Sequence, residues 1–220
     1  NFKITNGNIK IQNLSFSYTN KPIITNLSCS FSKGFVNCIN GKSGCGKTSL
    51  MHILMGFNTN FYGHVTIDDC NIKKIELKYL RENISYTGQY TFIHDNTILY
   101  NLTYGTQLQH LSKQTQMKYV TKKLKEFNLI DYFDLFPKTL QYKINRKNIS
   151  GGQQQMICFA RNILKDSAIS IFDEPTSALN SDLTDLCTKC LEKLAKERTV
   201  ILITHNKQLF NKKSFRYIQL

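Results

Sequence analysis

From residue 8 to about residue 86, apolar and polar positions alternate in short runs, the period-two pattern of half-buried strands. "FVNCIN" (35–40) reads as a short strand ending at Gly41, and "TSLMHILMGF" (48–57) as a helix with one apolar face. "HVTIDD" (64–69) is a further strand, and "ENISYTG" (82–88) ends another at a glycine. From about 88 to 165 the pattern turns helical. There "LSKQTQMKYVTKKLKEFNL" (111–129) places Leu111, Met117, Val120, Leu124 and Phe127 roughly on one face, with lysines elsewhere. After 166 the chain returns to α/β. "AISIFDE" (168–174) and "TVILITH" (199–205) are near-continuous apolar runs, as in parallel strands buried on both faces. "LTDLCTKCLEKLAKE" (183–197) is a helix between them. No internal repeat, low-complexity tract or linker interrupts the order.

Composition adds limits. The 220 residues are 41% hydrophobic and 20% charged, enough for a sizeable core. No apolar run approaches the length of a membrane span. The first residue is Asn1 and no signal-peptide pattern follows, so a piece of a longer or processed chain is expected. The net charge of +14 invites nucleic acid or an anionic membrane as partner. Against that, arginine occurs only at positions 81, 146, 161, 198 and 216, and the lysines are scattered among abundant Asn, Ile and Tyr. This mix reads as a whole-genome compositional bias rather than a basic patch. Seven cysteines, an odd number without a regular framework, fit a reducing compartment. Cys187 and Cys190 form one CxxC in a helical pattern with no second pair, which favours packing over zinc or redox chemistry.

Chemistry is concentrated in three short stretches. Gly41, Gly46, Lys47 and Thr48 satisfy G-x-x-x-x-G-K-[ST], between a strand and a helix. Glycines let successive amides turn inward around an anion, Lys47 supplies a cation to the outer phosphates, and the Thr48 hydroxyl can ligate Mg²⁺. A chance match is expected in roughly one in a hundred chains of this length. Cys45, inside this loop at a helix start, is expected to be a reactive thiol. "AISIFDE" ends in Asp173, able to hold Mg²⁺ through its water shell, with Glu174 beside it. "NISGGQQQM" (148–156) offers a second anion site at a helix N-terminus, redundant within one chain.

Together these residues resemble the nucleotide-binding domains of ABC (ATP-binding cassette) transporters, from about Leu14 to Asn206, with six motifs in family order. The resemblance implies an α/β P-loop NTPase. Its RecA-like parallel sheet is joined by an antiparallel β subdomain and by a helical signature subdomain at about 88–165. The cofactors it implies are ATP and Mg²⁺. Tyr18 matches the aromatic that stacks on adenine. Gly41, Lys42, Ser43, Gly44, Cys45, Gly46, Lys47, Thr48 and Ser49 match the phosphate loop. Gln89 matches the Q-loop glutamine, which reaches the metal and senses the membrane domain. The metal set implied is thus Thr48, Gln89 and Asp173. Ser150, Gly151, Gly152 and Gln153 match the signature loop, which closes over the nucleotide of a partner subunit. Glu174 matches the catalytic glutamate, Ser177 to Asn180 the D-loop, and His205 the switch histidine on the γ-phosphate. Glu174, His205 and Lys47 make the expected catalytic set. Ile149 replaces the usual leucine, Met156 a usual arginine and Asn180 the D-loop aspartate. The chain stops fifteen residues after His205, so the family's C-terminal helices are expected to be short or absent.

Within the family, "GQYTFIHDNTILYNLTYG" (88–105) resembles exporters through Ile98, Asn101, Leu102, Tyr104 and Gly105, although "YKINRKNIS" is basic where exporters are acidic. The export reading implies a membrane domain before Asn1, coupling helices that meet this domain at the cytoplasmic face of a membrane, and peptide or bacteriocin cargo. It also implies a head-to-tail dimer with a second nucleotide-binding domain, identical or not. The alternatives are an importer ATPase, or an ATPase acting on nucleic acid or ribosomes. The interval 49–150 lacks the sustained heptads of chromosome-maintenance relatives, and only one cassette is present, so no nucleic-acid partner is expected.

Overall fold

In the computed structural model of the chain, residues 2–206 and 213–220 are described. The N-terminal alternation forms β1 (Ile9–Ser17) and β2 (Pro22–Phe31), followed by β3 (Val36–Asn40). Next come α1 (Lys47–Leu54), β4 (Tyr62–Ile67), β5 (Cys70–Asn71), α2 (Leu77–Glu82) and β6 (Ile84–Thr87). The middle of the chain holds β7 (Asn96–Thr97), α3 (Ile98–Thr103), α4 (Lys113–Glu126), α5 (Ile130–Asp134), β8 (Lys143–Ile144) and α6 (Gly151–Leu164). Then follow β9 (Ile169–Asp173), α7 (Ser181–Ala195), β10 (Thr199–Ile203) and β11 (Phe215–Gln219). The chain divides into two compact units: residues up to Ser85 with Ser167–Phe172 and Leu194–Leu220, and Tyr86–Asp166 with Asp173–Lys193.

The first unit has an antiparallel sheet, ordered β2-β1-β4-β5, and a five-stranded sheet, ordered β11-β3-β10-β9-β6. In β1 the odd positions Ile9 and Ile11 face the core, yet so do the even positions Leu14 and Phe16. The parity change needs an extra residue. Asn13, with φ 50, supplies it where the register shifts between Ile11 and Leu14. In the second sheet β3 runs parallel to both β10 and β11, with Val36 opposite Val200 and Phe215. Helix α1 buries Leu50, Met51, Ile53 and Leu54 in the same core as Ile39, Ile169, Ile171, Ile201 and Ile203. Each such side chain contributes about 1.5–3 kcal/mol. The helix stops at Leu54 rather than at 57, because Gly56 takes φ 70 and turns the chain out. Strand β11 has no counterpart in the sequence reading. Residues 207–212, on which part of the C-terminal-helix expectation falls, lie outside the described residues.

The second unit is helical apart from the small β7–β8 pair and the strand ends assigned to it. Helix α3 packs on α4 and α6. The face expected of α4 is only partly correct. Val120, Leu124 and Phe127 are buried, but Leu111 lies outside the helix and is 45% exposed. Ser112 is the cap, its Oγ accepting from the Thr115 N–H, so the helix cannot extend back to Leu111. Gln116 is buried instead, its amide donating to the carbonyls of Leu111 at 2.9 Å and Gln109 at 3.4 Å. Cys187 and Cys190 are buried in helix packing. The Cys187 thiol faces Met156 Sδ at 3.5 Å, and the Cys190 thiol donates to the Phe127 carbonyl at 3.2 Å. Burial pushes the Cys190 pKa up to about 12. Among the described residues no helix is long and apolar enough to cross a membrane.

A clasp closes the N-terminal end of the first unit. The Asp68 carboxylate accepts from the backbone amides of Thr5, Asn6, Gly7 and Asn8, at 2.7, 2.9, 3.1 and 2.9 Å. Burial raises its pKa, but the four amides together outweigh burial and hold it below the usual carboxylate value. A depressed folded-state pKa means the stabilisation is present above the unfolded value of about 3.9 and is lost as pH falls through the folded one. Asp68→Asn is therefore expected to lower stability at pH 7 by about 1 kcal/mol, and Tm by about 2–4 °C. The difference from wild type should shrink as thermal melts are taken to lower pH.

Candidate functional site

The expected site residues divide between the units. Tyr18, residues 41–49 and His205 belong to the first; Gln89, residues 150–153, Asp173 and Glu174 belong to the second. In the first, β3 is buried until Asn40 and the chain turns immediately beyond it. Asn40 Oδ1 accepts from the Gly41 amide at 2.9 Å, and the Cys45 amide closes a turn onto the Lys42 carbonyl at 3.2 Å. Gly46, at φ 102, is the N-cap of α1 and gives no side-chain cap. The helix therefore starts with amides that its own sequence leaves for a ligand. Its Cβ position is also closed: a side chain there would meet Ile24 Cγ1 at 2.9 Å. Lys47 folds back, its ammonium donating to the carbonyls of Gly41 at 2.8 Å and Lys42 at 3.0 Å. The cation is thus held at the centre of the loop. Thr48 is exposed at the helix start while Ser49 is buried.

Tyr18 is 57% exposed and stands edge-on to Phe16, with ring centroids 4.8 Å apart. Its hydroxyl accepts from Asn58 Nδ2 at 3.1 Å and from Ser49 Oγ at 3.4 Å. Both ends of the ring are therefore fixed while a face stays open for stacking. His205 is exposed two residues beyond β10. Since Ile203 pairs with Ile39 in parallel register, His205 and Gly41 leave the same edge of the sheet on neighbouring strands.

In the second unit Ser150 caps α6 in a reciprocal box. Its Oγ accepts from the Gln153 amide at 3.2 Å, and Gln153 Oε1 accepts from the Ser150 amide at 2.8 Å. Gly151 faces open space. Gln89 is exposed just after β6, in a segment tied to α6. Thr91 Oγ1 donates to Gln154 Oε1 at 3.1 Å, and the Arg161 guanidinium donates to the Phe92 carbonyl at 3.1 Å. Asp173, buried, ends β9, and its Oδ2 accepts from the Tyr86 hydroxyl at 3.4 Å. Burial, the Asp173 charge and this hydrogen bond push the Tyr86 pKa up to about 12. Glu174 takes φ 52, a left-handed conformation rare for a glutamate.

Sequence reasoning missed Asn58, Tyr86, Thr91, Gln154, Gln155 and Arg161. The last three lie on one stretch of helix where a polar residue ordinarily faces solvent. The signal available was their position directly behind the "SGG" loop, in an otherwise apolar helix.

Comparison with known proteins gives the family and the fold. The family model described as ABC transporter matches residues 24–177. An ATP-dependent lipid A-core flippase of Francisella tularensis subsp. holarctica is 32% identical over 201 residues, covering 90% of this chain and 32% of that protein. The lactococcin-G-processing and transport ATP-binding protein LagD of Lactococcus lactis subsp. lactis is 36% identical over 207 residues, covering 92% of this chain and 28% of that protein. A bacterial Atm1-family ABC exporter solved with ATP bound has the same fold, with a TM-score of 0.86 over 100% of this chain and 38% of its own, at 24% identity. The chain thus spans about a third of the length of the curated relatives it matches. The chain belongs to the ABC transporter family.

The loop geometry makes one thiol a reporter. Cys38, Cys158, Cys187 and Cys190 are buried; Cys29, Cys45 and Cys70 are partly open, and of these three Cys45 lies in the 41–49 loop, its sulfur beside Gly41. N-ethylmaleimide is expected to modify Cys45, block ATP binding in a fluorescent-nucleotide titration, and be excluded by prior ATP. Cys45→Ser should bind ATP and resist the reagent; inhibition that persists in this variant would assign the effect to another thiol.

Proposed function

We propose that the chain is the nucleotide-binding domain of an ABC exporter. In this reading it binds ATP and Mg²⁺, pairs head-to-tail with a second such domain, and hydrolyses ATP to drive export across a membrane. The observation that carries the reading is the 41–49 loop, with its side-chain-free helix start at Gly46 and the Lys47 ammonium gathered onto the carbonyls of Gly41 and Lys42. The export direction is supported by the likeness to the flippase and to LagD, and the latter favours peptide cargo within it. The same likeness, to proteins about three times as long, supports a membrane domain in the same polypeptide and a place at the cytoplasmic face of that membrane.

In this reading Tyr18 stacks on the adenine, and the amides of residues 41–49 with Lys47 hold the phosphates. Thr48, Gln89 and, through water, Asp173 would hold Mg²⁺; a hydroxyl, an amide oxygen and a carboxylate form a donor set suited to a hard cation. The ion supplies positive charge against the phosphate oxygens. Glu174 orients or deprotonates the attacking water, and His205 fixes the γ-phosphate. Catalysis is chiefly positioning and charge stabilisation, as in phosphoryl transfer generally. Ser150 and the amides of Gly151 and Gly152 cap the γ-phosphate of the partner's nucleotide, which gives the second anion loop a task.

Two measurements test the reading. Glu174→Gln is expected to bind ATP normally and hydrolyse it about a hundredfold more slowly or worse; wild-type turnover would remove Glu174 from the role. Ser150→Arg is expected to leave ATP binding by the monomer intact and to abolish ATP-dependent dimerisation, followed by size-exclusion chromatography with light scattering. Unchanged dimerisation would show that the 148–156 loop does not meet a partner's nucleotide.

A further inference from the structure

Gln155 is only 5% exposed, one turn into α6. A carboxamide buried at that depth needs partners for its polar atoms. All three of its bonds go to the loop that follows β9. Nε2 donates to the Glu174 carbonyl at 2.9 Å and to Ser177 Oγ at 3.0 Å, and Oε1 accepts from the Ala178 amide at 2.9 Å. One side chain therefore holds both the start and the far side of that loop. The loop opens on Glu174 at φ 52, a left-handed conformation uncommon for residues other than glycine. Helix and loop also meet backbone to backbone, since a Cβ on Gly152 would stand 3.0 Å from the Ala178 carbonyl oxygen.

We propose that Gln155 is a positioning residue: its carboxamide fixes the left-handed turn at Glu174 and so aims that residue's carboxylate. The inference rests on the reading above, in which Glu174 acts on the attacking water. It adds a coupling. The N-terminus of α6 carries Ser150, Gly151 and Gly152, offered to a partner's nucleotide, whereas Glu174 serves the nucleotide of its own chain. Through Gln155 the helix that senses one site holds the base of the other. Loss of the carboxamide loosens Glu174 without removing a nucleotide contact, so turnover falls while affinity stays.

Gln155→Met keeps the length and the burial and removes all three hydrogen bonds. Amide hydrogen exchange read by mass spectrometry on peptides spanning 174–180 is expected to rise tenfold or more over wild type. ATP affinity should stay within twofold, and kcat should fall at least tenfold with KM unchanged. Ser177→Ala, at an exposed position where folding is not at stake, removes one bond and should raise exchange two- to threefold. Unchanged exchange in both variants would overturn the latch, and wild-type kcat in Gln155→Met would overturn its role in aiming Glu174. Exchange is read without activity, so failure of the Glu174 reading in Glu174→Gln is distinguishable from failure of the latch.

Discussion

Burial of β3, β9 and β10 on both faces is the constraint on which the site depends. Every residue of β9 and β10 is buried, as is β3 up to Asn40. Polar side chains inside such strands must be satisfied locally, and they are. Asn37 donates to the carbonyls of Ser32, Phe35 and Val200, and Ser170 shares a hydrogen with Ser85 at 2.9 Å. Chemistry that needs solvent or ligand is excluded from the strands and displaced to their ends. Gly41 follows β3, Asp173 closes β9, and His205 leaves the strand end of β10. The apolar runs that build the sheet therefore also fix where the reactive groups can stand.

The two anion loops differ in how their helices begin. At α1 the N-cap is a left-handed glycine without a side chain, so the first amides have no partner within their own sequence. At α6 the Ser150–Gln153 box occupies the amides of the cap and of the third helical residue. In the proposed reading the first start suits a polyanion bound by the same chain. The second is stable by itself and has fewer amides to offer, as suits a loop that engages only on assembly in the proposed dimer.

Much of this was legible in the sequence for a physical reason. The phosphate loop, the acidic strand end and the buried strands are local patterns, written in consecutive residues and in hydrophobic period. What was not legible depends on partners distant along the chain. Asp68 reads as part of the 64–69 strand, yet β4 ends at Ile67 and the amides of 5–8 reach the carboxylate just beyond it, and β11 is a short strand whose place is given by β3. Gln116, Gln154 and Gln155 read as solvent-facing helix positions, yet each amide reaches a loop that the helix period cannot foresee. Leu111 failed the opposite way. Its spacing fitted the apolar face of α4, but the Ser112 cap placed it outside the helix.

The departures from the family pattern also find local explanations. Met156, where an arginine is usual, is wholly buried against Cys187, so α6 and α7 meet there through apolar contact rather than charge. Asn180, in place of the D-loop aspartate, caps α7: its Oδ1 accepts from the Leu183 amide at 3.0 Å and its carbonyl from the Thr184 amide at 3.0 Å. Asparagine and aspartate cap helices about equally well, so the start of α7 is kept. What the exchange removes is one negative charge from the 173–180 segment, which already carries Asp173 and Glu174. In the proposed reading, where this segment works beside a polyphosphate, the missing carboxylate is one source of repulsion fewer, while the cap on α7 is kept.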